Sequence, residues 1–181
     1  MSLSRTLVAG VGNVFFGDDG FGVEVARRLS ALPWPDQVRV GDFGIRGIHL
    51  AYELLEGYDT LIVVDAVDTG EEPGTLIVLE PTGLTGASPV VDAHGMDPAT
   101  VLARLHDLGG SVGRVRVVGC QPATLDEGIG LSEPVTAAVD RAVELVLTLL
   151  PGVPGAPDVS RVPGGSAREL TAVPGARHRI G

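Results

Sequence analysis

The sequence predicts an α/β fold, a five-stranded, twisted, mostly parallel sheet sandwiched between helices, with one strand antiparallel. Three observations predict it. Short apolar runs alternate with stretches of helical periodicity along most of the chain. One run, DTLIVVDAV (59–67), is continuously apolar up to its carboxylate, as a strand covered on both faces must be. The link DTGEEPG that follows it is too short for a parallel crossover, which takes about a dozen residues or more.

TLVAG (6–10) is the first strand, and GVEVARRLSAL (22–32) is a helix with Val23, Ala26 and Leu29 at helical spacing. QVRVGDF (37–43) alternates as a half-buried strand, and GIHLAYELLEG (47–57) is an amphipathic helix closed by a glycine. The buried run is the third strand. GTLIVLEP (74–81) is the fourth, an antiparallel or edge strand forming a hairpin-like pair with it. DPATVLARLHDLG (97–109) is a helix with Asp97 as N-cap and Pro98 in its first turn. RVRVVGC (114–120) is the fifth strand and SEPVTAAVDRAVELVLTLL (132–150) the longest helix. Beyond it the chain becomes dense in Pro and Gly, without apolar period and with four arginines against two acids. The predicted organisation is one domain over 1–150 and a flexible tail over 151–181.

Length and composition agree, since 181 residues with 44% hydrophobic content suit one globular domain with a sizeable core. No stretch approaches the roughly 18 to 20 apolar residues of a membrane helix, and the N-terminus carries no signal pattern, so a soluble, cytoplasmic protein without a membrane partner is expected. A single cysteine, Cys120, agrees with a reducing compartment. All 13 basic residues are arginine, which excludes a P-loop lysine, a Schiff-base lysine and a lysine general base. The net charge of −10 argues against nucleic acid as a partner and favours cations, metal ions among them.

The loop GVGNVFFGDDGFG (10–22) raises the sharpest question of chemistry. A dinucleotide-binding turn needs a third glycine where this chain has Phe15, and two carboxylates at a helix entrance repel a pyrophosphate. A metal is the better ligand. The competing reading is that Asp18 or Asp19 caps the following helix.

In a mainly parallel sheet the loops after the strands line one crevice, where ligands bind. Asp19 follows the first strand, Asp65 ends the buried third strand, and His94 in VVDAHGMDP sits in the loop before the next helix. Two carboxylates and one imidazole match a three-ligand site with open positions, suited to Zn²⁺ or Ni²⁺. Against this, Asp65 can serve as a strand-end cap and His94 as a surface residue. His49, His106 and His178 fall in amphipathic helices or the tail and read as solvated or structural.

Four collinear strings, GVGNVFFGDDGFGVEVARRL, VVDAVDTGEEPGT, HGMDPATVL and VVGCQPATLDEGIGLSEPV, resemble the hydrogenase maturation endopeptidases, which process the large subunit of nickel-iron hydrogenases. The likeness covers nearly all of 5–150 and leaves the tail without a counterpart. It implies five strands with helices on both faces. It also implies that the family's metal-binding acid falls on Asp19, where many members have Glu, its second carboxylate on Asp65 and its histidine on His94. The implied activity is removal of a C-terminal extension from the large-subunit precursor after nickel insertion, the protease sensing the substrate's nickel through those three residues. Catalysis falls on the same three, one carboxylate also orienting the attacking water. The implied metal is nickel, that of the precursor, with zinc or another divalent ion suited to the same donors in isolation. A monomer is implied.

Asp42, Gly44 and Gly47 of DFGIRG (42–47), at the end of the second strand, flank the same crevice and are candidates for seating substrate. The competing reading is a turn into the second helix. Gln121, in the GCQP turn (119–122), is a further candidate wall. Two other function classes stay in view. Cys120, His94 and Asp65 could form a cysteine hydrolase triad. Alternatively, the same scaffold serves a non-catalytic nickel-binding chaperone or assembly factor.

Overall fold

The computed structural model describes residues 4–81 and 98–150. Its strands are β1 (Thr6–Val11), β2 (Val38–Gly44), β3 (Thr60–Ala66), β4 (Leu76–Leu79) and β5 (Arg114–Cys120). Its helices are α1 (Phe21–Ser30), α2 (Gly47–Leu54), α3 (Pro98–Asp107) and α4 (Glu133–Thr148), and a 3₁₀ turn, Gly17–Gly20, precedes α1. The five strands form one sheet in the order β2-β1-β3-β5-β4. The β1–β2, β1–β3 and β3–β5 pairs are parallel and β4 runs antiparallel to β5. The predicted tail, 151–181, and Asp97 lie outside the described residues.

Strand alternation sorts the core into two layers. Leu7, Ala9, Leu61, Val63, Val115 and Val117 point to one face and pack with Leu50, Leu54, Val101 and Leu105 of α2 and α3. Val8, Ile62, Val64, Val118 and Cys120 point to the other, against Val25 and Leu29 of α1 and Val135, Ala138, Val139 and Ala142 of α4. Each Val, Leu or Ile so buried is worth about 1.5–3 kcal/mol relative to exposure. The central strands are therefore apolar on both sides, as the run in β3 requires.

Two expectations need correction. The antiparallel strand occurs, but its partner is β5 rather than β3. The link after β3 passes across the end of β5, held by Val67 N–H on Cys120 O (2.9 Å) and Gly74 N–H on Gln121 O (2.8 Å). A short link forbids a parallel crossover; it does not forbid stepping over one neighbouring strand. In α1 the buried face is Phe21, Val25 and Leu29 with Gly22 and Ala26, while Val23 is only half-buried. The helix starts one residue earlier than its periodicity suggested because Phe21 is a core residue.

Close contact of α1 with the sheet depends on glycines. A Cβ on Gly10 would stand 2.2 Å from Gly22 O, and one on Gly22 would stand 2.0 Å from Val64 O. Gly10, the first glycine of the stretch that resembles a dinucleotide fingerprint, thus serves helix-on-strand packing. No helix among the described residues is long and apolar enough to cross a membrane.

Candidate active site

The parallel strands β1, β2, β3 and β5 end at the same edge of the sheet, and the described candidate residues lie at these strand ends or in the segments that follow them. Asp19, Asp65 and Gly44 come together around Gly12. Its φ of +129° lies in a region that side chains disfavour. A Cβ there would stand 1.8 Å from Asp19 O and 3.7 Å from Asp65 Oδ1. The backbone of Asp19 therefore lies directly over Gly12, with the Asp65 carboxylate beside it. The 3₁₀ turn that carries Asp19 packs against β3, which carries Asp65.

Asp19 is buried, and its Oδ2 accepts the backbone N–H of Asn13 at 2.8 Å. Asn13 Oδ1 in turn accepts Phe15 N–H at 3.0 Å, a turn bond of the kind Asn favours. Asp65 is half-buried, and strand alternation puts it on the face of Leu61 and Val63. Neither Asp18 nor Asp19 caps α1, since its N-cap is Gly20 and carries no side-chain cap bond. Asp18 is instead fully buried and turned toward the segment between β5 and α4. There it accepts Ala123 N–H (2.8 Å), Thr124 N–H (3.1 Å), Ser132 N–H (2.7 Å) and Ser132 Oγ–H (2.8 Å).

The end of β2 joins this edge through Gly44, whose carbonyl accepts Gly12 N–H at 2.9 Å. Asp42 Oδ1 accepts Gly44 N–H at 2.9 Å, and Asp42 O accepts from Arg46 Nη2 at 3.1 Å. Asp42 is exposed and Gly47, which opens α2, is buried. The segment is a turn into α2 that also borders the Gly12 loop. Gln121 is buried and engaged with the turn after β3. Its Oε1 accepts Thr69 N–H (2.7 Å) and Thr69 Oγ1 (3.1 Å), and its Nε2 donates to Asp68 Oδ1 (3.0 Å). That bond, followed by the Gly70 N–H, holds the Asp68 carboxyl below its ordinary value.

His94 lies outside the described residues, so the structure brings together Asp19 and Asp65 of the predicted trio. Among the described residues no three His, Cys, Asp or Glu side chains gather as a metal site. The two carboxylates offer oxygen donors of the kind that hold divalent cations together with an imidazole. The cysteine hydrolase reading has no support from Cys120. This residue is fully buried on the α1/α4 face, opposite to the face of Asp65, and burial pushes its thiol up to about 11. A thiol protonated at neutral pH and packed in a core is no nucleophile.

Sequence reasoning passed over Asn13 and misread Asp18. The turn propensity of Asn was available as a signal for Asn13. For Asp18 the partners lie more than a hundred positions along the chain, and no local pattern points to them.

Comparison with known proteins gives a consistent picture. The family model for hydrogenase maturation proteases matches residues 23–149. A Methanocaldococcus jannaschii protein is 40% identical over 152 residues, which cover 81% of this chain and 97% of its own. The solved hydrogenase maturating endopeptidase HybD of Escherichia coli aligns with a TM-score of 0.70 and 32% identity, over 81% of this chain and 91% of its own. The [NiFe] hydrogenase maturation protease HycI of Thermococcus kodakarensis aligns with a TM-score of 0.67 and 29% identity, over 79% and 90% respectively. With the family model spanning both core layers and the relatives matching along most of their own length, this chain belongs to the hydrogenase maturation protease family.

Proposed function

We propose that this chain is a cytoplasmic endopeptidase that removes the C-terminal extension of a nickel-iron hydrogenase large-subunit precursor once nickel has been inserted. In this reading Asp19, Asp65 and His94 recognise the nickel that the precursor carries. The observation that supports it most directly is the placement of the Asp19 backbone and the Asp65 carboxylate around Gly12, in a chain of this family. Two acids at one sheet edge are what a shared cation with open positions needs.

The chemistry is hydrolysis of one peptide bond. Water adds through its oxygen to the scissile carbonyl carbon, and a carboxylate of the pair accepts the proton it gives up. The C–N bond then breaks, the leaving nitrogen takes a proton, and the products are a new C-terminal carboxylate and a free peptide amine. In this reading Asp19, Asp65 and His94 would hold the precursor's nickel, which would supply charge stabilisation to the reaction. Asp19 is suited to hold its position because its own loop binds its carboxylate. Zinc or another divalent ion can occupy the same donors in the isolated protein.

The test is intact-mass analysis of the precursor, prepared with and without nickel, after incubation with wild type or His94→Ala. Loss of a defined C-terminal peptide from the nickel-loaded precursor, with wild type only, is the expected result. An unchanged mass with a competent precursor would replace the protease by a nickel-binding assembly factor.

A further inference from the structure

We propose that Asp18 is a positioning residue that fixes Asp19 by tying the 3₁₀ turn to the start of α4; its catalytic consequence rests on the function proposed above. Asp18 and Asp19 are consecutive, joined by one rigid peptide unit, so displacement of one is passed to the other. The turn is pinned from both sides. Asp19 binds back to Asn13 N–H, while Asp18 binds forward to Ala123, Thr124 and Ser132. The backbone adds Asp18 N–H to Thr124 O (3.1 Å) and Gly17 N–H to Gly128 O (2.9 Å).

Ser132 is the telling partner. It occupies the N-cap of α4, where a serine hydroxyl ordinarily accepts an N–H of its own helix. Here it makes no such cap bond; its hydroxyl donates to Asp18 Oδ2 and its N–H to Asp18 Oδ1. The helix start is thus used to hold a buried carboxylate next to the candidate site. All four donors to Asp18 are neutral, so an aspartate suits the position. An asparagine would turn an NH₂ group toward at least one N–H or O–H donor.

The experiment uses the full chain carrying Ser132→Ala, Ser132→Thr, Asp18→Asn or Val146→Ala. Val146 is a buried α4 residue on the core face and serves as the control for lost stability alone. Amide hydrogen exchange at Asn13, whose N–H is held by Asp19, reports the position of Asp19 without any assay of cleavage. We expect Asn13 exchange to be faster by about tenfold in Ser132→Ala and Asp18→Asn at matched stability, and unchanged in Val146→Ala. With nickel-loaded precursor, kcat should fall about fivefold in Ser132→Ala and about 10²-fold in Asp18→Asn at constant KM, the scale expected of a misplaced group. Ser132→Thr should restore both readouts. Asn13 exchange equal to that of Val146→Ala would overturn the assignment. If Asp18→Asn does not fold, the Ser132 pair decides. A wild type that exchanges as expected but never shortens the precursor would overturn the proposed function and leave the positioning role standing.

Discussion

The two edges of the sheet handle charge in opposite ways. Where the strands begin, charges are paired with one another near solvent. Arg39 Nε meets Glu53 Oε1 at 2.8 Å, Tyr58 OH donates to the same oxygen at 2.6 Å, and the Arg5 guanidinium lies 4.6 Å from the centre of the Tyr58 ring. Where the strands end, Asp18 is taken wholly out of water and satisfied by backbone N–H groups and a hydroxyl. An ion pair with one exposed partner, such as Arg39–Glu53, contributes little, since solvent screens it. A buried carboxylate such as Asp18 is costly to disturb, because its lost donors are not replaced by water. One edge tolerates change and the other specifies geometry.

The largest contrast should come from the carboxylates of the specifying edge. Asp65→Asn and Asp19→Asn are expected to slow precursor cleavage by roughly 10²-fold or more, the scale of a lost acid–base group. Quantified peptide release at saturating precursor measures it, and cleavage at the wild-type rate in both variants would erase the distinction between the edges. Gly12→Ala comes next. The new Cβ meets the Asp19 carbonyl at 1.8 Å in a conformation with φ of +129°, so the loop must move. A loss of about 2–4 kcal/mol in urea unfolding is expected, accompanied by loss of cleavage.

Each edge also holds an acid whose pKa is raised, so alkaline stability distinguishes them. Burial pushes the Cys120 thiol from 9.0 up to about 11. At the opposite edge burial, then the hydrogen bond to Glu53, pushes the Tyr58 hydroxyl from 10.0 up to about 12. Both groups hold their protons more tightly folded than unfolded, so their contribution is intact below the unfolded values and is lost as pH rises through the folded ones. The cysteine window runs from 9.0 to about 11 and the tyrosine window from 10.0 to about 12. Cys120→Ala should remove the earlier part of the decline in urea midpoint and Tyr58→Phe the later part. A decline that neither variant alters would refute this account. The smallest effect belongs to Arg39→Ala, expected to cost less than about 1 kcal/mol in unfolding and to leave cleavage unchanged.

Much of the fold was legible because period and punctuation are local. The apolar run of β3, the Ser132–Pro134 entry to α4 and the glycine closing α2 each announce themselves within a few residues. The partner of β4 was not legible, since a short link limits direction without saying which neighbouring strand is reached. Asp19 and Asp65 were readable as carboxylates at strand exits, whereas Asp18 looked equivalent to Asp19 until its donors were known. Gln121 braces the Asp68–Thr69 turn, 52 positions away along the chain, and no local pattern predicts that bond. His94 falls outside the described residues, and its proposed part as a ligand rests on the resemblance of the motif around it.

The bond from Asp18 to Ser132 spans 114 positions and has a consequence for the order in which the chain is made. A ribosome releases the GDDG segment early and the start of α4 near the end of the domain. Until then the Asp18 carboxylate lacks its two Ser132 donors, and the turn bearing Asp19 is not yet tied to α4. Bringing such distant segments together carries a chain-entropy cost that grows slowly with their separation. During synthesis this edge can be completed only once Ser132 has emerged, and a nascent chain stopped before it carries the acids without the whole frame that holds their turn.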